Sequence, residues 1–200
     1  MPVEIAPVES LQKNMLSELN IYNKILSDAA VISSERVFTN SGKEHAAIAM
    51  SVMYRNTRQK IKLIADNFNG SVSNNDRYEL ELSNCLSRGV KAEILILDPQ
   101  NLNFDSKGFK VYQKFSLQNP SQVTIKTAND VTKRVIKDSN TISNKEVDEI
   151  YNVGLFDNEK YRFELVPSKY IALLSFNNVE LVSKYQKVFD MAFETANGLA

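Results

Sequence analysis

Two hundred residues, 43% of them hydrophobic and 24% charged, suit one domain, or one domain with an appendage, that can bury a core. Lysine plus arginine equals aspartate plus glutamate at 24 each, so any attraction to nucleic acid or anionic membrane needs a local patch. The one cysteine, Cys85, excludes an internal disulfide and a cysteine-based zinc site. A reducing cytoplasm is the expected compartment, because the N-terminus carries no basic-then-apolar leader and no apolar run nears the roughly 20 residues that span a bilayer.

Met1 to Pro7 reads as a loose arm. From Val8 to about Ala30, Val8, Leu11, Met15, Leu19, Tyr22, Leu26 and Ala29 recur at three- and four-residue steps and predict one stripe of a long helix. That stripe can pack on the body of its own domain or on a second copy of the chain. Val37 and Phe38 predict a short strand. A helix rich in small apolar residues then runs from Ser41-Gly42 to about Asn56, and Gln59 to Asp66 reads as a strand. After a loop from Asn67 to Asn75, a helix begins at Asp76, capped by Asn74 or Asn75. Its expected buried side is Tyr78, Leu80, Leu82, Cys85 and Leu86, and Arg88-Gly89 ends it.

The run Ile94 to Leu97 does not alternate with polar residues, so it predicts a strand covered on both faces, the habit of central strands in α/β sheets. Strand, helix and strand make a crossover unit with parallel strands. Asp98 follows, at the edge where open α/β sheets place their ligands. Lys107 to Leu117 predicts a helix with Phe109, Tyr112, Phe115 and Leu117 as its contacts. Val123 to Thr127 reads as a strand, and Asp130 to Lys145 as a polar loop with at most a helical turn. Tyr151 to Phe156, Tyr161 to Val166 and Tyr170 to Phe176 read as three closely spaced strands. A last helix starts at Asn177 or Asn178, with Val182, Tyr185, Val188, Phe189, Ala192 and Phe193 inward. The fold class expected is α/β, with a mostly parallel or mixed sheet and helices on both faces.

Taken together, these pieces resemble the phospholipase D-like superfamily. The matching residues are the small-residue helix Glu44 to Tyr54, the strand ending Ile64-Ala65-Asp66-Asn67-Phe68, and the junction Arg88-Gly89-Val90 before the apolar strand. Val153-Gly154-Leu155-Phe156-Asp157-Asn158 and the closing Ser175-Phe176-Asn177 with its helix complete the match. The resemblance divides the chain into an N-terminal helical arm, residues 1–32, and a phospholipase D-like domain, residues 33–200. Active members of that superfamily carry a His-x-Lys pair, in which histidine attacks phosphorus and lysine binds phosphate oxygens. With Asp157 matched to the family's aspartate, the pair falls on Ile150 and Asn152, and neither residue can do that work. The resemblance therefore implies the fold without the chemistry: a module that binds a protein partner or nucleic acid. Members with a single motif commonly pair two copies, which implies a homodimer. No cofactor is implied.

Other residues supply an enzymatic alternative, a nuclease or phosphodiesterase with a non-standard site. His45 can act as a general base, and Asp66 with Asp98 at neighbouring strand ends can hold a magnesium ion through oxygen ligands. Each has a plainer role: His45 as a packing residue, the two aspartates as loop caps, and Cys85 as an inert core thiol. The stretch from Lys107 to Lys137 is locally basic. Lys107, Lys110 and Lys114 share one helical face, and Lys133 and Arg134 follow, so these are the candidate phosphate contacts. No phosphate-cradling glycine loop, His-Glu-x-x-His or Gly-x-Ser-x-Gly occurs.

Overall fold

In the computed structural model, which describes residues 8–139 and 152–199, the two-sided apolar run lies deep in a sheet. Ile94, Leu95 and Ile96 are fully buried. Ile94 and Ile96 face one hydrophobic cluster and Leu95 the other, because successive strand side chains point to opposite faces. Burying side chains of this size stabilises the fold by about 2 kcal/mol each.

The strands are β1 (Phe38–Asn40), β2 (Lys60–Ala65), β3 (Lys91–Ile96), β4 (Val123–Thr127), β5 (Val153–Phe156), β6 (Lys160–Val166), β7 (Ile171–Ser175) and β8 (Asn197–Gly198). Their order in the sheet is β1-β7-β6-β5-β2-β3-β4-β8. The three strands joined by helical crossovers, β2, β3 and β4, are parallel, and every other pairing is antiparallel. The sheet is therefore mixed. Helices α1 (Val8–Val31), α2 (Lys43–Asn56), α3 (Asp76–Ser87) and α4 (Lys107–Gln118) supply the first cluster, and α5 (Asp130–Ser139) and α6 (Val179–Thr195) the second.

Helix ends follow the expected chemistry. The Asn75 side chain accepts from the N–H groups of Arg77 and Tyr78, and that of Asn178 from Leu181. Gly89 takes φ +85° just past α3, where a side chain would be strained. Arg88 serves a different helix than expected: its guanidinium donates to the carbonyls of Tyr54, Arg55 and Thr57 at the end of α2.

Three expectations need correction, and one strand is an addition. Asp130–Ser139 is a helix and not a loop: Asn129 accepts from the Thr132 N–H at 2.9 Å, and Thr132 and Ile136 are buried one turn apart. Leu80 is exposed, because it lies two residues from Tyr78 and so on the far side of α3. Leu117 is exposed for the same reason, two residues past Phe115. The two-residue strand β8 was not expected, being too short to carry a pattern. Met1–Pro7, Ile150 and the later part of the expected loop lie outside the described residues.

The stripe on α1 splits in two. Leu26, Ala29 and Ala30 are buried, with Leu19 and Tyr22 packed beside them. Met15 continues the same stripe toward the N-terminus yet is half exposed. Ile21 and Ile25, on another side of the helix, are exposed as well.

Candidate functional site

The end of β2 and the start of β5 meet at one edge of the sheet, since the two strands are antiparallel with Ile64 opposite Val153. This brings Asp66 beside Asn152, and the Asp66 N–H donates to Asn152 Oδ1 at 2.7 Å. Asn152 Nδ2 donates to the Glu164 carboxylate at 2.5 Å. The other Glu164 oxygen accepts from Arg162 Nη2 at 3.2 Å, and Arg162 Nε donates to Asn40 Oδ1 at 3.2 Å. Asn40 Nδ2 in turn donates to the Tyr170 carbonyl. One polar chain thus runs across β2, β5, β6 and β1.

This chain floors a cavity of about 230 Å³. That is space for several waters or one small ligand. Met50, Leu63, Phe68, Val72 and Tyr78 form an apolar wall. Two lining residues, Phe68 and Tyr170, hold left-handed backbone, with φ of +59° and +53°. For residues other than glycine this costs about 1–3 kcal/mol, and such strain clusters at binding sites. Behind the wall, the Tyr54 hydroxyl donates to that of Tyr78 at 2.7 Å and lies 3.0 Å from that of Tyr112. Burial raises all three above the ordinary tyrosine range, Tyr78 to about 12, so the group is neutral.

Arg162 and Glu164 are each only 6% exposed, and each other's charge makes that burial tolerable. Asp66 is different. Its carboxylate accepts no hydrogen bond from any described residue, and partial burial, with Asp98 and Glu164 nearby, raises its pKa against the opposing pull of Lys133. Asp98 does not line the cavity. Hydrogen bonds from Asn101, at 2.9 Å, and Asn67 hold it below the usual carboxylate range. No group of three or more histidine, cysteine, aspartate or glutamate side chains is placed to hold a metal ion among the described residues.

The remaining candidates fall elsewhere. His45 is absent from the cavity lining and packs edge-on against Tyr22, with ring centroids 4.7 Å apart. Cys85 is buried in the core, which pushes its thiol up to about 12. Lys107 pairs with Asp76 and Lys110 with Asp105, so only Lys114 of that face makes no ion pair among the described residues. Lys133, on α5, is close enough to Asp66 and Asp98 to influence both, whereas Arg134 is exposed. The basic segment is therefore divided between two places.

Asp157 stands at the other end of β5, five residues or about 17 Å from Asn152 along the strand. Its carboxylate accepts from the backbone N–H groups of Arg58, Gln59 and Lys60 and from the Lys160 ammonium at 2.9 Å. Burial pushes its pKa up, but these donors outweigh burial and leave it lowered.

No protein-family model matches the chain, and no curated protein matches it. Solved structures do. Nuc from Salmonella typhimurium, a phospholipase D family member, superposes with a TM-score of 0.53 over 82% of this chain and 99% of its own, at 12% identity. The fold is phospholipase D-like. NucT from Helicobacter pylori gives 0.52 at 11% identity, with the same coverage. TrmBL2, an archaeal chromatin protein with a novel mode of DNA binding, gives 0.56 at 16% identity over 96% of this chain, which spans 66% of that protein. At these identities the likeness is one of fold. Within the phospholipase D-like sheet, Asn152 lies in the cavity with its amide engaged on both sides.

Arg162, Glu164, Asn40 and Tyr170 are site residues that the sequence reading missed. A signal was present: Lys160, Arg162 and Glu164 alternate with Tyr161, Phe163 and Leu165 on one strand. Three charges on one strand face ordinarily mean solvent, but all three are buried.

Proposed function

We propose that the chain is a catalytically inactive phospholipase D-like module that works by binding, with the cavity beside Asp66 as its recognition site. The observation that carries this reading is the state of Asn152. It stands where the resemblance places the phosphate-binding lysine, and its amide is consumed by Asp66 and Glu164. A neutral amide in place of an ammonium cannot offset the charge of phosphodiester oxygens, which Asp66 beside it repels. Purified protein given bis(4-nitrophenyl) phosphate, with and without magnesium, is expected to show no turnover above buffer. Turnover that disappears in Asp66→Ala would establish the enzymatic alternative.

Assembly as a homodimer through α1 belongs to the same proposal. Met15 extends the packed stripe past the part of α1 that lies on the body, and Ile21 and Ile25 add exposed apolar surface. A second copy supplies the matching overhang in a two-fold pair. Sedimentation should give a dimer, and Met15→Glu with Ile21→Glu should shift it to monomer. A monomeric wild-type chain overturns this part.

A second reading, nucleic-acid binding, is favoured by the likeness to TrmBL2. It predicts a low-salt complex with duplex DNA that weakens on charge reversal at Lys114, Lys133 and Arg134. An unchanged complex removes these residues from the interface.

A further inference from the structure

Resting on the reading of the cavity as a recognition site, we infer that its ligand is a small organic cation: a primary ammonium group with a neutral oxygen acceptor a few atoms away. Charge decides the sign. Among the described residues, the lining carries Asp66, Glu164 and Arg162. Arg162 and Glu164 neutralise each other, and just outside the lining Asp98 and Lys133 do the same in number. Asp66 is the carboxylate left over, at the exposed mouth, with no donor to its side chain among the described residues. A ligand ammonium there gains a charge-assisted hydrogen bond, the strong kind. An anion would meet Asp66 with no unpaired cation in the lining to offset it among the described residues.

The acceptor follows from Arg162. This residue is 6% exposed and lines the cavity, and its hydrogen bonds use Nε, to Asn40, and Nη2, to Glu164. Nη1 has no partner among the described residues. Its N–H groups suit a ligand oxygen, and because Glu164 already balances the guanidinium charge, that oxygen need not be charged. The wall of Met50, Leu63 and Phe68 suits a short methylene chain between the two polar ends.

Three compounds of one shape separate the possibilities: 5-amino-1-pentanol, 1,5-pentanediol and 5-hydroxypentanoate, titrated calorimetrically at constant ionic strength beside inorganic phosphate. The expected result is binding of the amine in the millimolar range, with the diol and both anions weaker by about ten-fold or more. Asp66→Asn should lose that preference, and Asp66→Lys, which places the protein's own ammonium at the mouth, should abolish amine binding. Asp66 is exposed and its side chain holds no other group among the described residues, so both variants are expected to fold, with circular dichroism and thermal melting as the check. Equal binding of the diol, stronger binding of either anion, no binding of the amine, or amine binding unchanged in Asp66→Asn each overturns the inference. Phosphodiester turnover in the same samples counts against the non-catalytic reading alone, so the two failures are distinguishable.

Discussion

The two ends of the β2–β5 pair each carry an aspartate, and the two have opposite circumstances. At one end Asp157 is buried and surrounded by donors, three backbone N–H groups and the Lys160 ammonium. At the other, Asp66 opens on a cavity, and no described residue donates to its carboxylate. The surroundings of the first lower its pKa and those of the second raise it. A carboxylate whose hydrogen bonds are all made within the fold holds the fold together. One left without donors beside a cavity has bonding capacity that only something else can use.

The largest expected effect is at the satisfied end. Asp157→Ala removes the acceptor for the start of β2 and leaves the buried Lys160 ammonium with Glu159 as its one ion-pair partner among the described residues, so urea unfolding should show a loss of about 3–5 kcal/mol. A loss under about 1 kcal/mol would erase the contrast. Next comes Glu164→Gln, which leaves Arg162 buried without its counter-charge; a loss of about 2–3 kcal/mol is expected in the same measurement. The pH dependence is smaller and sharper. Asp157 has a folded pKa below its unfolded one, so its contribution is present above about pH 4 and disappears as pH falls through the folded value. Wild type should therefore lose more stability than Asp157→Asn between pH 5 and pH 2.5, as read by thermal melting. Asp66 has the opposite sign: its folded pKa is raised, so the folded chain holds the proton more tightly and stability falls as pH rises through the shifted pKa. Asp66→Asn should thus melt at the same temperature as wild type or slightly above it at pH 7, the smallest effect of the four. A marked drop would mean that Asp66 has a structural partner after all.

Much of this architecture was legible in order along the chain, because period and caps report it directly. The unbroken Ile94–Leu97 run, the Asn75 cap and the turn at Asp157 all stand as the sequence predicts. The failures have physical causes. Helix α5 carries only a few apolar residues among charges, and its signal is the Asn129 cap rather than a stripe. Residue type alone places Leu80 and Leu117 inside, whereas helical angle decides their side. The site was half legible. Asp66 and Asn152 were marked from the strand end and the resemblance, but their partners come from β1, β6 and the turn before β7, far along the chain. Strand alternation shows Arg162 and Glu164 as one face and does not show that α1 and α2 cover that face.

The chain has no tryptophan and eight tyrosines, so its near-ultraviolet signal comes from phenol rings. Three of those rings share hydroxyl contacts directly behind the cavity wall, and Tyr78 belongs to that wall. Whatever fills the space will alter the surroundings of an optically active group that the protein already owns. Occupancy can then be followed by difference absorption in the unlabelled molecule.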